Sequence, residues 1–118
     1  MTKTEMKVLG IKAAIKNINR MKKEKQKKIS LAVRDSWGFA ISEVQESIAG
    51  NRGEKRSVDT GNFLNSIGRD SKLKKYTGIV TSNVKYAKYV ERKRKHFEKT
   101  KNRIEQKIIH NIRKAVAS

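Results

Sequence analysis

Cysteine is absent from the 118 residues, which excludes a disulfide framework and every thiolate metal site. Histidine is scarce. His96 and His110 lie fourteen positions apart with no carboxylate at a metal-ligand spacing to either, so no metal site and no cofactor is expected. No apolar run approaches the roughly 18 residues of a bilayer span, and the N-terminus lacks the apolar core of a signal peptide. The chain therefore reads as made and kept in a cytoplasm, with no membrane partner. Proline is missing throughout, and Met6 to Ala49 holds only two glycines, Gly10 and Gly38, so that stretch reads as helix. Acidic residues are also few. Against 11 Asp and Glu stand 30 Lys and Arg, a formal net charge of +19. Repulsion of that size costs stability in a lone subunit and raises attraction for polyanions, implying a nucleic acid or a strongly acidic partner. No basic helix has the bulky aromatic face that would favour an anionic membrane. The length corresponds to one domain able to bury roughly two thirds of its unfolded surface.

The expected fold is α+β: a long N-terminal helical region over 6–49, a loop over 50–57, a turn and antiparallel hairpin over 58–84, a short helix over 85–93 and an amphipathic C-terminal helix over 97–117. Two apolar stripes at three-and-four spacing mark the first region: Val8, Ile11, Ile15 and Ile18, then Ile29, Val33, Trp37, Ile41, Val44 and Ile48. Lys22 and Lys25 interrupt them. One straight helix would run about 60 Å, against roughly 35 Å for a compact domain of this size. A break is expected within residues 20–28, with Ser30 as the candidate cap of a second helix. "GNRGEKRS" reads as a helix stop and loop, and "YTGIVTSNV" as a strand paired with a partner over Ser66–Leu73.

The stretch "SVDTGNFLNSI", residues 57–67, stands apart from its basic surroundings. Asp-Thr-Gly is the catalytic triplet of aspartic proteases, but that chemistry needs two such aspartates sharing a proton between hydrophobic strands. This chain has one, flanked by Lys55 and Arg56 and followed by Asn62. The turn reading is stronger: Asp59 or Thr60 caps, Gly61 takes positive φ, and Phe63, Leu64 and Ile67 enter the core. Glu43 and Glu46 read as solvated charge, and Trp37, Tyr86 and Tyr89 as core residues rather than base-stacking platforms. No phosphate-binding Gly-rich loop and no nucleophile elbow is present, so an enzyme is not expected. Two basic clusters are candidate nucleic-acid contacts: Lys22, Lys23, Lys25, Lys27 and Lys28, and Arg92, Lys93, Arg94 and Lys95. Such contact would be sequence-blind and salt-sensitive.

The order of these features resembles the tail-completion (minor tail, neck) family of long-tailed double-stranded DNA bacteriophages and prophages. The resemblance rests on Asp59, Thr60, Gly61, Leu64 and Ser66, then Tyr86, Ala87 and Glu91, and is close over Val58–Glu91. The chain departs from the family pattern at Val58, where proline is common, and at "RKRKHF", where a Gly-Thr and a Pro-Phe are common. The resemblance implies a non-enzymatic virion protein assembled in the bacterial host cytoplasm. It further implies a homo-oligomeric ring, a hexamer in preference to a dodecamer, at the head-proximal end of the tail. Head-joining, tail-terminator or tail-tube proteins would be its neighbours, and double-stranded DNA would pass, unread, through its channel. The alternative is a free, sequence-nonspecific nucleic-acid-binding protein, which rests on charge alone.

Overall fold

The computed structural model describes residues 9–12, 18–54, 56 and 60–117. Its elements are β1 (Leu9–Lys12), a 3-10 turn (Ile18–Arg20), α1 (Lys23–Ile48), α2 (Thr60–Asp70), β2 (Lys72–Lys74), β3 (Thr77–Val80), α3 (Ala87–Arg94) and α4 (His96–Ala117). The fold is α+β, with an antiparallel sheet of order β1-β3-β2.

α1 is the spine. Ile29, Val33, Ser36, Ala40, Val44, Ser47 and Ile48 are its buried positions, a three-and-four rhythm that keeps one face on the core. That face meets Phe63 and Ile67 of α2, Val80 of β3, Ala87 of α3, and Phe97, Ile104 and Ile108 of α4. Each such side chain, fully buried, contributes roughly 1.5–3 kcal/mol of transfer free energy. α4 runs antiparallel to α1: His96 at its start lies against Ser47, and Lys107 further along lies over the ring of Phe39.

The N-terminal region is broken just ahead of Lys23, with Lys22 in the N-cap position. Ser30 is not a cap, since it lies inside α1. What fixes the start instead is Gln26, whose amide donates to the carbonyl of Met21 at 2.8 Å and of Asn19 at 3.4 Å while its oxygen accepts from the Tyr76 hydroxyl at 3.2 Å. Lysines at the break keep the apolar stripe from continuing into one longer rod, both faces of which solvent would have to surround.

Residues 9–12 are strand, not the helix expected over 6–49; Val8 and Ile15 of the first stripe lie outside the described residues. β3 is central, so the backbone groups on its side away from β2 require a partner, which Leu9–Lys12 supplies in the register Leu9↔Val80 to Lys12↔Thr77. Ladder pairing across the sheet outweighs a spacing that, over four residues, does not separate helix from strand.

The hairpin is shorter than expected, and Ser66 to Asp70 is helical rather than its first strand. Only Lys72–Lys74 pairs with β3, from Lys72↔Ile79 to Lys74↔Thr77. Phe63, Leu64 and Ile67 have helix spacing, and burying Phe63 and Ile67 against α1 selects the helix. Gly61 is consequently not a positive-φ turn residue. That conformation belongs to Gly50 (φ 87°) and Gly53 (φ 97°) in the loop after α1, where the left-handed region ends the helix. A Cβ on Gly61 would meet nothing within 4 Å. Gly61→Ala is therefore expected to hold or raise the melting temperature, by up to about 1 kcal/mol of stability. A clear fall would restore the strained-turn reading. Ser57, Val58 and Asp59, including the proposed Asp59 cap, lie outside the described residues.

Candidate functional site

Of the motif residues, Leu64, Ser66, Tyr86, Ala87 and Glu91 lie about the joint between α2, α3 and α4. Ser66 is buried, its hydroxyl within hydrogen-bonding distance of the Phe63 carbonyl (2.6 Å) and of the Ser82 hydroxyl (2.5 Å). Tyr86 meets Phe63 edge-on, with ring centroids 6.1 Å apart, and Ala87 is fully buried. Leu64 is half-buried against the core. Glu91, at the end of α3, turns its carboxylate onto the first turn of α4, where Oε1 accepts from the backbone N–H of Phe97 at 2.9 Å and Oε2 from that of Glu98 at 3.2 Å. A carboxylate in this position satisfies two orphan donors and complements the positive end of the helix. Lys95 between the two helices takes φ 57°, ψ 41°, making a sharp elbow. The "RKRKHF" departure from the family pattern is thus helix end, elbow and helix start. Glu91→Ala should cost about 1–3 kcal/mol by leaving those donors buried without a carboxylate; urea unfolding with an unmoved midpoint would show that the cap contributes nothing.

Beside this joint lies a buried polar chain that the sequence did not reveal. Ser47 donates to Glu54 Oε1 at 2.6 Å, and His96 Nδ1 lies 2.8 Å from the same hydroxyl oxygen. Arg103 reaches both Glu54 oxygens, at 2.8 and 2.9 Å. An ionised carboxylate only accepts, so the single Ser47 proton goes to Glu54 and the His96 imidazole must donate from Nδ1. Burial is the main cause that holds the His96 pKa down at about 4, from an ordinary 6.5. Burial pushes Glu54 the other way, but the hydrogen bonds from Ser47 and Arg103 outweigh it and leave its pKa below the usual value. The residue types are those of a hydrolase, but the order is not. In a nucleophilic triad the imidazole stands between carboxylate and hydroxyl; here the hydroxyl stands in the middle and is wholly buried. This chain ties the Gly50–Glu54 loop to α4. Contacts separated by 49 residues carry no local sequence signal.

The other candidates fall apart as sites. His96 and His110 are on the order of 20 Å apart along α4, and His110 is exposed. Among the described residues no group of histidines and acids could hold a metal ion. Glu43 is engaged by Arg52 at 3.0 Å, and Glu46 lies 3.8 Å from the same guanidinium. Trp37 and Tyr86 are half-buried core residues, but Tyr89 is not core: it is 56% exposed, with Lys93 Nζ 4.9 Å from its ring centroid. The amphipathic pattern failed there because α3 presents only Ala87 and Glu91 as buried positions.

The two basic clusters occupy opposite ends of the spine. The elbow beside Ser47 carries Arg92–Lys95, and the start of α1 carries Lys22, Lys23, Lys25, Lys27 and Lys28, some 33 Å away by helix rise. A groove of about 420 Å³ at that start is lined by Met21, Lys22, Glu24, Lys25 and Lys28. No described helix is long and apolar enough to cross a membrane.

Residues 12–92, from the last residue of β1 to α3, match the family model described as "Bacteriophage HK97-gp10, putative tail-component". No curated protein and no solved structure matches the chain. The matched span contains the motif joint up to Glu91 and the whole of the α1 spine, and the family is one of structural tail components rather than of enzymes. The chain belongs to the HK97-gp10-like family of bacteriophage tail components.

Proposed function

We propose that this tail component completes the tail at its head-proximal end, as one subunit of a homo-oligomeric ring through which double-stranded DNA passes. The observation that carries the reading is the uncompensated charge of a family member: +19 over 118 residues, with the lysines at the start of α1 free of ion pairs among the described residues. A lone subunit bears that repulsion without return. Subunits closed around a polyanion place it where it stabilises the assembly. A hexamer is the stoichiometry we favour over a dodecamer, with head-joining, tail-terminator or tail-tube proteins above and below. The part played by the chain is positional: the helices and the buried joint make a stiff body, and no bond is made or broken. The test is native mass determination alone and after mixing with tail-tube and neck proteins of the same phage. A closed ring supports the reading. A subunit that stays monomeric at high concentration and in those mixtures overturns it.

The same charge favours a second reading, a free nucleic-acid-binding protein. It predicts retention of DNA at physiological salt by a monomer or dimer, whereas a ring component binds weakly until assembled.

A further inference from the structure

We infer that the start of α1, together with the tip of the β2–β3 hairpin, forms one docking surface for the phosphate backbone of duplex DNA, and that the elbow cluster Arg92–Lys95 is not part of it; this rests on the DNA-channel reading above. The sequence presents two basic runs of similar density, and the fold separates their roles. At the start of α1, Lys22, Lys25 and Lys28 recur on the groove side, with Glu24 the one carboxylate lining it among the described residues. The Tyr76 hydroxyl donates to Gln26 at 3.2 Å, which holds the hairpin tip and its exposed Lys74 and Lys75 against the first turns of the helix. Among the described residues, none of these five lysines lies within 4 Å of a carboxylate oxygen, and of the five only Lys75 has a ring partner, its Nζ 5.4 Å from the Tyr76 centroid.

The elbow is built differently. Lys95 Nζ lies 3.8 Å from Glu98, Lys93 lies over the Tyr89 ring, Arg94 is half-buried, and the Glu91 carboxylate is committed to the start of α4. Apart from the exposed Arg92, its cations have a local partner or are half-buried. The two ends are about 33 Å apart, several Debye lengths at the roughly 8 Å of physiological salt, so each meets a ligand on its own terms.

The chemistry of the α1 end selects phosphate over a protein partner. A protein interface needs a desolvated apolar or aromatic anchor, and lysine is depleted from its core. Here Met21 is the one apolar residue lining the groove among the described residues, and it is half-buried against the core. Ammonium groups are compact point charges suited to a row of phosphates, and they lack the planar fork that reads a base edge. Of the two amides at this end among the described residues, that of Gln26, between the groove and the hairpin, has both its oxygen and its nitrogen engaged within the fold, and that of Asn19 is exposed in the 3-10 turn. The surface therefore holds duplex DNA without reading it.

The test uses the full chain and a fluorescein-labelled 30-base-pair duplex of arbitrary sequence, followed by anisotropy across a salt series. Lys22→Glu/Lys25→Glu/Lys28→Glu should weaken binding at least about tenfold and flatten the plot of log affinity against log salt by about 2–3. Lys88→Glu/Arg92→Glu/Lys93→Glu, an equal change of net charge at exposed positions of α3, two of them in the elbow cluster, should weaken it only about two- to threefold with little change of slope. Equal losses from the two triple variants would overturn the surface and leave a diffuse field. No binding by the parent chain at any salt, with polyglutamate bound instead, would overturn the DNA reading itself. Thermal melts confirm folding of each variant. Should the α1 variant not fold, Lys22→Gln/Lys25→Gln/Lys28→Gln takes its place, with a slope reduction as the required result and an unchanged slope as the refutation.

Discussion

Gly78→Val is expected to destabilise the protein by about 3 kcal/mol, seen as a lower urea midpoint with an unchanged m-value. Gly78 sits in the central strand, opposite Ile11 on one side and Leu73 on the other. Any Cβ there would lie 2.7 Å from Trp37 Cδ1 and 3.0 Å from Trp37 Cβ and Cγ, closer than real side chains approach. The indole cannot swing away freely, because its Nε1 donates to the Ile79 carbonyl at 3.1 Å. The clash is therefore relieved only by moving the strand off the spine or by breaking that hydrogen bond. Valine's preference for strands returns at most about 1 kcal/mol of the loss. Gly78→Ala should cost less, about 1–2 kcal/mol, and pairing it with Trp37→Phe should recover part of that loss. An unchanged midpoint for the valine variant would mean that sheet and spine are not in close contact.

Acid is expected to weaken the fold in two separate windows. The first belongs to His96, whose pKa is about 4 folded against about 6.5 unfolded. Below pH 6.5 the unfolded chain takes up a proton that the folded chain refuses. Stability present above that pH is lost as pH falls, until the folded imidazole also protonates near pH 4. The full loss is on the order of 3 kcal/mol. The second window belongs to Glu43, Glu54 and Asp70. The guanidinium of Arg52 holds Glu43 low, and that of Arg69 holds Asp70 low. In Glu54 burial opposes the shift, and the hydrogen bonds from Ser47 and Arg103 prevail. Their folded pKa values lie under the ordinary 4.5 and 3.8, so their contribution is present above those values and is lost below them. His96→Asn keeps a donor near the Ser47 hydroxyl without a titrating ring, and should flatten stability between pH 6.5 and 4 while leaving the lower window in place. A slope identical to the parent's would remove His96 as its cause. The latch it closes is also mechanical, since the same bonds hold the Glu54 loop to α4.

The α1 spine, the break before it and the C-terminal helix were legible in the sequence because they rest on local periodicity: Ile29 to Ile48 and Phe97 to Ile108 recur on one helix face whatever lies opposite. Charge was equally legible, since it is a sum over residues. The Asp-Thr-Gly stretch misled for the same local reason. Read alone, Gly61 suggests a turn; next to a spine that can bury Phe63 and Ile67, the stretch is helix.

The sequence by itself determined a basic, mostly helical, cysteine-free chain with a tail-component motif. Tertiary structure alone decided that Leu9–Lys12 is a strand, that Glu91 caps the helix after it, and that Ser47, Glu54, His96 and Arg103 form one chain. It also decided which lysines stand unpaired at one end. Each of these depends on a partner distant in sequence: a ladder needs a facing strand, a buried carboxylate needs donors, and a surface lysine's role depends on which charges the fold sets beside it. Local spacing records none of those partners.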